Sequence, residues 1–339
     1  MWCESAPNAA WKNVLGGRLV KLSGRVSITP IALAHDNRSF FAEIYSKEYS
    51  GVVKIDALSS RYARIMRFAD PVNYQAVGHF DGRWLVWFEY HSLEDDLRDF
   101  RVWSWDSRSG RVRRIGRANR TPDGGFWLST WKSPVVHEGY AAWEEGVDGR
   151  GEIHVFNLAS GRGRVVRRGQ VAAPLILDGP TVIWPESMKP RALTVMRAID
   201  ARTGHAIAVP KALKNVRGAL WPASNGSSLM YATNGQRTLW WSPSLGVTPK
   251  RVFTGGPAEV LDIPFAEISG RYTMFGVPYK TFVVDTVAGR YVRIARGGWA
   301  ITGPKALVLL APSEKKANHV ITDIYYVPLK SLPPVPPCS

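Results

Sequence analysis

A turn signature that recurs at nearly constant spacing constrains the fold of this chain more than any other feature of its sequence. In each copy, Asp, Asn or Ser stands four residues before a Gly or Ser, and a strand-like segment follows. The Gly or Ser of the six copies lies at positions 60, 110, 161, 204, 246 and 289, which are 42–51 residues apart. Asp and Asn side chains bond to nearby backbone N–H groups, and Gly adopts positive φ, so each copy predicts a hairpin.

A second signature alternates with the first. A polar residue followed by Gly precedes a segment that reaches an aromatic residue a few places later, as in Asp81-Gly82 to Trp87. Weaker copies at Asp36-Asn37 and Thr302-Gly303 bring the series to seven members. Two hairpins in a unit of about 40–50 residues supply four strands, which is the content of one β-propeller blade. The sequence therefore predicts an all-β fold, a seven-bladed β-propeller of four-stranded antiparallel blades.

The spacing predicts a single β-propeller domain over residues 1–339. The predicted blades cover residues 27–67, 73–117, 131–169, 172–211, 217–254, 262–296 and 298–332, and the terminal tails cover 1–16 and 333–339. The last blade lacks a fourth strand, whereas residues 17–24 begin with the same Gly-Arg pair as the fourth strands of blades 3 and 6. We expect residues 17–24 to close blade 7, so that the ring leaves no long sheet edge open.

Ring closure changes the interpretation of the two cysteines. Cys3 precedes the closing strand and Cys338 follows the last blade, so a closed ring brings both into one neighbourhood. A Cys3–Cys338 disulfide is the favoured prediction, and it implies a secreted, periplasmic or cell-surface protein whose signal peptide has been removed. The alternative is two free thiols at frayed ends of a cytoplasmic protein. No apolar stretch approaches the roughly 20 residues of a membrane span, so none is expected.

Segments of the third predicted blade resemble a known class of repeat. Gly139-Tyr140-Ala141-Ala142-Trp143-Glu144-Glu145 and the following 153–161 are similar to the repeats of TolB-like propellers, relatives of the WD40-like class. The resemblance covers residues 17–332. It implies the propeller fold and, less strongly, a periplasmic or secreted scaffold that binds proteins or ligands. Some related propellers form domains of enzymes.

Four glutamates share one register behind an aromatic residue. They are Glu43, Glu89, Glu145 and Glu186. The loops that join strands two to three and four to one share one face of a propeller, and carboxylates there could accept sugar hydroxyls or hold Ca²⁺. The favoured hypothesis is that each Glu pairs with an Arg of its own or the next blade. The alternative is a glycan lyase or hydrolase that uses Glu89, Glu145 or Glu186.

Two long neighbouring loops of blades 2 and 3 form the second candidate site. The loop at 88–101 and the connection at 116–131 contribute the predicted ligand-binding residues Tyr90, Arg117, Arg120, Trp127 and Trp131. Arg and Trp in a Gly-containing loop can stack on a sugar ring, hold an anionic polymer or anchor a partner protein. Alternatively, the two loops pack on each other and their acids neutralise their arginines.

The charge balance and the histidines exclude some functions. The chain has 44 Lys plus Arg against 28 Asp plus Glu, a net charge of +16, with many arginines on predicted outer strands. A charged rim mainly serves solubility and prevents edge pairing, and no nucleic-acid module is recognisable. Three of the seven histidines, His35, His79 and His137, precede first turns, which predicts a structural role on the opposite face. No catalytic or zinc motif such as HExxH occurs.

These observations predict a non-enzymatic, exported propeller that presents a loop face to a protein or carbohydrate partner. We expect a monomer without a cofactor and without specific nucleic-acid binding. A propeller enzyme is the first alternative. The second is a basic adhesin for an anionic cell-surface polymer, whose binding would collapse between low and moderate salt.

Overall fold

The computed structural model describes most of the chain. The described ranges are 2–15, 17–22, 26–36, 38–69, 76–90, 99–122, 124–129, 134–147, 150–169, 175–186, 194–224, 228–256, 271–277, 280–294, 299–316 and 319–338. Strands dominate these ranges and form seven separate sheets, the blades of a ring. The predicted all-β, seven-bladed architecture is confirmed.

The chain begins with a short segment that precedes the blades. It contains strand β1 (Cys3–Ser5), helix α1 (Ala9–Leu15) and strand β2 (Arg18–Leu19). Blades 1 to 3 follow. Blade 1 has β3 (Ser27–Leu33), β4 (Ser39–Tyr45), β5 (Ser50–Asp56) and β6 (Arg61–Arg67); blade 2 has β7 (Ala76–Phe80), β8 (Trp84–Tyr90), β9 (Phe100–Asp106) and β10 (Val112–Arg117); blade 3 has β11 (Leu128–Ser129), β12 (Val135–His137), β13 (Tyr140–Val147), β14 (Arg150–Asn157) and β15 (Arg162–Gly169).

Blades 4 to 7 complete the ring. Blade 4 has β16 (Ile176–Asp178), β17 (Thr181–Glu186) and β18 (Val195–Asp200); blade 5 has β19 (Leu220–Ser224), β20 (Leu229–Thr233), β21 (Thr238–Ser242) and β22 (Lys250–Thr254); blade 6 has β23 (Tyr272–Val277), β24 (Lys280–Asp285) and β25 (Arg290–Ile294); blade 7 has β26 (Trp299–Thr302), β27 (Ala306–Lys316) and β28 (His319–Pro328), followed by a 3-10 turn at Leu329–Ser331. Consecutive strands within each blade pair antiparallel, except that β11 and β12 of blade 3 both pair with β13.

Blades 3 and 4 depart from the regular pattern in their described residues. Blade 3 has five strands, because β11 and β12 both pair with β13. In blade 4 the fourth strand is reduced to a single bridge between Ile199 and Ala206. In blade 6 the predicted first strand and its turn at Ser269-Gly270 lie outside the described residues, as does the predicted turn Asn225-Gly226 of blade 5.

The ring closes through the N-terminal segment. Strand β2 pairs antiparallel with β28, with Arg18 opposite Tyr326 and Leu19 opposite Tyr325. The predicted closure of blade 7 is therefore confirmed. Strand β1 adds a contact that the sequence did not predict, because it runs parallel to β25 on the outer edge of blade 6. The N-terminal segment thus joins two neighbouring blades at the seam.

The two chain ends are held together at this seam. Cys3 and Cys338 form a disulfide with a Cα–Cα distance of 5.9 Å, as predicted. Nearby, the Ser5 hydroxyl donates a hydrogen bond to the Pro336 carbonyl oxygen at 2.8 Å. The fully buried Trp11 packs among core residues of blades 6 and 7. The ends are therefore fixed by a covalent bond, a hydrogen bond and apolar packing.

The turn signatures form the hairpins that their chemistry predicts. The Asp56 carboxylate accepts hydrogen bonds from the N–H groups of Leu58 and Ser59 at 2.8 and 2.9 Å. Asp285 makes the equivalent bonds in blade 6. Gly289 has a φ of +67°, in the left-handed region where a side chain is strained. Local side-chain-to-backbone bonding therefore sets the positions at which the blades fold back.

The core lies between the blades. Trp143 of blade 3 packs with Trp84 and Ile115 of blade 2, and a Cβ added to Gly116 would lie 2.5 Å from its indole ring. Trp184 of blade 4 packs in the same way on residues of blade 3. Among the described residues, no helix is both long and apolar enough to cross a membrane.

Candidate functional site

The four glutamates of the repeated register are buried. Glu43, Glu89, Glu145 and Glu186 expose only 2%, 2%, 2% and 3% of their surface. They occupy matching positions towards the ends of the second strands of blades 1 to 4. A buried carboxylate needs partners that compensate for its desolvation. The partners therefore decide what each glutamate does.

Glu186 is paired with arginines on two sides. Arg167 of blade 3 donates to Glu186 Oε1 at 2.7 Å, and Arg197 of blade 4 donates to Oε2 at 3.0 Å. The pairing predicted for this register is confirmed at Glu186. Both oxygens of the Glu186 carboxylate are therefore occupied by charge-assisted hydrogen bonds.

In blades 2 to 4, one position of the third strand supplies a partner of the glutamate. Arg197 lies opposite Trp184, two residues before Glu186, so its side chain reaches the glutamate diagonally. In blade 2, Trp103 occupies this position opposite Trp87 and donates its indole N–H to Glu89 Oε2 at 2.5 Å. Blade 1 differs, because its Lys54 pairs with Asp36 at 2.8 Å. The sequence did not reveal these partners, because they depend on strand register.

Blade 3 places a histidine at the equivalent position. His154 lies opposite Trp143, and the two rings stack with centroids 5.1 Å apart. His154 Nε2 lies 2.7 Å from Glu145 Oε1 and 3.4 Å from Glu152 Oε2. Glu152 stands directly opposite Glu145 in the sheet, so two carboxylates and an imidazole converge. The sequence did not identify Glu152 or His154 as site residues. The available signal was that these two residues lie two positions apart on the strand that forms a hairpin with the strand of Glu145.

The connection between blades 2 and 3 forms an ordered hairpin beside this cluster. Arg120 and Phe126 form a β-bridge, and the Trp127 N–H donates to the Asn119 carbonyl oxygen at 2.8 Å. Strand β11 pairs with β13 next to Glu145. Asn119 links the hairpin to the cluster, because its backbone N–H donates to Glu145 Oε2 at 2.7 Å. We call residues 117–122 and 124–129 the hairpin face.

The hairpin face presents three of the predicted ligand-binding residues. Arg117 and Arg120 are exposed, and Trp127 is partly exposed. The Arg120 guanidinium lies 4.8 Å from the centre of the Phe126 ring. Within the described part of the chain, no carboxylate pairs with Arg117 or Arg120. The Arg120 guanidinium is also held against its own hairpin, because Nη1 donates to the Gly124 carbonyl oxygen at 3.3 Å.

The remaining predictions for these loops have different outcomes. Tyr90 is not on the surface, since it is buried and packs against Phe88 and Phe100. Tyr90 is the last residue of β8, a strand whose seven residues are all buried. Trp131 and residues 91–98 lie outside the described residues.

Comparisons with known proteins identify the fold and no closer relationship. Neither the known protein families nor the curated proteins include a match to the sequence. The structure is similar to the β-propeller domain of the Trilobed protease from Pyrococcus furiosus, with a TM-score of 0.58 and 9% identity over 90% of this chain and 94% of that one. This chain is a seven-bladed β-propeller.

Two further structures resemble this propeller. One is an oligogalacturonate lyase in complex with manganese, with a TM-score of 0.57 and 11% identity over 90% of this chain and 92% of the lyase. The other is a prolyl endopeptidase, with a TM-score of 0.54 and 13% identity over 90% of this chain and 47% of the endopeptidase. At these identities the similarity establishes the fold alone.

The histidines before the first turns of the propeller connect neighbouring blades. His137 Nδ1 of blade 3 accepts a hydrogen bond from the Gly179 N–H of blade 4 at 2.6 Å. His79 Nδ1 of blade 2 lies 3.1 Å from the Val136 carbonyl oxygen of blade 3. These contacts support the structural role predicted for the histidines.

We expect acid to weaken the propeller through His79. Desolvation lowers the pKa of His79 to about 4, against the opposing effect of Asp81. The unfolded chain therefore takes up a proton between about pH 6.5 and 4 that the folded protein does not, and stability falls as pH falls. Because of this residue, the free energy of unfolding should be about 2–3 kcal/mol lower at pH 4.5 than at pH 7. Urea unfolding of wild type and His79→Gln at both pH values tests this, and equal losses in the two proteins would contradict it.

Proposed function

We propose that this protein is an exported, non-enzymatic binding scaffold that holds an acidic carbohydrate on its hairpin face. The observation that carries the proposal is that two exposed arginines, Arg117 and Arg120, and the partly exposed Trp127 belong to one hairpin. A guanidinium group binds a carboxylate through two parallel hydrogen bonds, and an indole stacks on the apolar face of a sugar ring. An acidic sugar chain uses both kinds of contact at once.

The order of the hairpin supports this proposal. Its backbone is closed by the bond from Thr121 N–H to the Gly125 carbonyl oxygen at 2.9 Å and anchored to blade 3 through β11. A surface that is already ordered loses little conformational entropy when it binds. The net charge of +16 also attracts a polyanion from a distance.

The disulfide supports export. Cys3 and Cys338 join the two ends of the chain, and disulfides of this kind persist in oxidising compartments. A partner on the cell surface or outside the cell is consistent with that environment. The alternative, a cytoplasmic protein, predicts free thiols after isolation without oxidation, which a mass measurement under non-reducing conditions would detect.

The pairing of the glutamates favours binding over hydrolysis by these residues. Glu186 is held by two arginines and Glu89 by the Trp103 indole. Of the three carboxylates considered for catalysis, Glu145 alone carries a buried oxygen without a hydrogen-bond partner among the described residues. An assay for product formation belongs in the same experiment, because one structure with this fold is a lyase.

We expect the wild-type protein to bind oligogalacturonate. Each of two substitutions, Arg120→Ala and Trp127→Ala, should weaken this binding about tenfold, because each removes one anchoring contact. Oligogalacturonate is the probe because a lyase of similar fold bears that substrate in its name. Its fully methyl-esterified form provides the uncharged comparison. Isothermal titration at low and moderate salt measures the affinity, which should fall as salt rises.

Arg108→Ala is the matched control. Arg108 is an exposed arginine of blade 2 at the turn between its third and fourth strands, on the other face of the ring. Its removal changes the net charge as Arg120→Ala does, so equal weakening by both variants would attribute binding to charge alone. Unchanged affinity in Arg120→Ala and Trp127→Ala, or equal affinity for the esterified form, would refute the proposal. Release of shorter products would favour the enzyme alternative.

A further inference from the structure

Blade 3 differs from its neighbours at the glutamate register. In blades 2 and 4, the residue diagonal to the glutamate is a pure hydrogen-bond donor, Trp103 or Arg197. Blade 3 has His154 instead, whose ring nitrogen can also donate an electron pair. The residue directly opposite the glutamate is Arg101 in blade 2 and Val195 in blade 4, but it is the acidic Glu152 in blade 3.

The side chains of Glu145, Glu152 and His154 converge on one point. One ligand atom from each lies within 4.8 Å of the other two. The Glu145 side chain is fully buried, whereas those of Glu152 and His154 keep 12% and 16% of their surface exposed. Glu145 is therefore the enclosed member of the cluster, and only Glu152 and His154 reach the surface.

Two atoms of the cluster lack hydrogen bonds. Glu145 Oε1 and His154 Nε2 are both buried, and neither has a hydrogen-bond partner among the described residues. They lie 2.7 Å apart, but their contact does not have hydrogen-bond geometry. Leaving a buried carboxylate oxygen without a hydrogen-bond partner costs free energy. When the imidazole is neutral, one of its ring nitrogens also carries a lone pair, and here that nitrogen lies next to the oxygen. A cation between the two would satisfy both.

The other atoms of the cluster are held in place. Asn119 donates its backbone N–H to Glu145 Oε2 at 2.7 Å and its side-chain Nδ2–H to Glu152 Oε2 at 3.1 Å. Arg168 donates to Glu152 Oε1 at 2.7 Å, and Trp143 stacks on the imidazole. Hydrogen bonds of this kind orient metal ligands in proteins and raise their affinity.

We infer that Glu145, Glu152 and His154 form a binding site for a divalent transition-metal ion such as Zn²⁺ or Mn²⁺. One imidazole nitrogen and two carboxylate oxygens suit these ions better than Ca²⁺, which takes six to eight oxygen ligands. Three protein ligands leave at least one coordination position for water or a ligand, on the exposed side of the cluster. This inference does not depend on carbohydrate binding.

The spacing of the ligand atoms is close to what such an ion requires. Two ligands at about 2.1 Å from a tetrahedral ion lie roughly 3.4 Å apart. The distance from His154 Nε2 to Glu152 Oε2 is already 3.4 Å. The distance from Nε2 to Glu145 Oε1 is 2.7 Å, so the ion has to widen this gap by about 0.7 Å.

The test is metal binding by the full chain after treatment with a chelator. We expect one equivalent of Zn²⁺ or Mn²⁺ to bind in isothermal titration, and the thermal midpoint to rise on addition of the same metal. Glu152→Gln should weaken the affinity at least about tenfold, because it replaces a charged ligand with a neutral one. His154→Arg should abolish binding, since a guanidinium group offers no lone pair.

The His154→Arg variant also separates the metal site from a purely structural pair. Its guanidinium would donate to Glu145 as Arg197 does to Glu186, so the fold should persist while metal binding is lost. His205→Gln, an exposed histidine at the turn after the third strand of blade 4, is the control and should bind as wild type does. Failure of the wild type to bind either metal, or equal binding by wild type, Glu152→Gln and His154→Arg, would overturn the inference.

Discussion

Cys338→Ser is expected to lower the unfolding free energy by about 3–5 kcal/mol, the largest effect of any single change considered for this protein. The Cys3–Cys338 disulfide spans 335 residues, so it restricts the unfolded chain over nearly its whole length. Loop-entropy arithmetic gives about 6 kcal/mol for so long a loop, and measured disulfides often contribute less. Chemical denaturation of wild type and variant under non-reducing conditions measures the difference.

The control for this prediction uses the partner cysteine. Cys3→Ser and the double variant should be destabilised by the same amount as Cys338→Ser, because each of them removes one and the same bond. Reduction of the wild type should have an equal effect. A loss below about 1 kcal/mol would show that β1, α1 and the bond from Ser5 to Pro336 hold the seam without help from the disulfide.

Asp285→Ala is expected to lower the unfolding free energy by about 3 kcal/mol. The Asp285 side chain is fully buried at the turn between the third and fourth strands of blade 6. It accepts hydrogen bonds from the Val287 and Ala288 N–H groups and forms an ion pair with Arg271 at 2.6 Å. Truncation leaves these donors without their charged acceptor. Urea unfolding at pH 7 provides the measurement.

The same substitution in blade 1 is the matched comparison. Asp56 has the same turn bonds and pairs with Arg38, but its side chain is 23% exposed and that of Arg38 is 59% exposed. Water can replace its contacts, so Asp56→Ala should cost only about 1 kcal/mol. Equal losses at the two positions would show that the turn bonds alone account for the effect and that burial of the ion pair does not matter.

The fold could be predicted because the information that specifies it is local. A turn such as the one from Asp106 to Gly110 is determined by residues within a few positions of each other, so its chemistry is visible in the sequence. Six copies of this turn alternate with the seven copies of the second signature, and together they specify the number of blades. The pairing of β1 with β25 could not be predicted, because a strand of three residues is too short to show an alternating pattern.

The candidate site could be predicted only in part. The glutamate register was visible because it repeats with the blades. Its partners were not visible, because Trp103, His154 and Arg197 lie on another strand and reach the glutamates only in the observed register. A slip of one residue would have placed all three side chains on the other face of the sheet.

By itself, the sequence determined the ring of blades, its closure by the N-terminal strand and the proximity of Cys3 to Cys338, because turn chemistry and repeat spacing are encoded within short stretches of chain. The tertiary structure alone decided which of these glutamates meet arginines and that Glu145 Oε1 lacks a hydrogen-bond partner among the described residues. Glu145 and Glu186 follow the same motif, yet Glu186 meets two arginines and Glu145 meets His154, close to Glu152. The reason is physical: burial and pairing of a charge depend on side chains that packing brings in from neighbouring strands and blades.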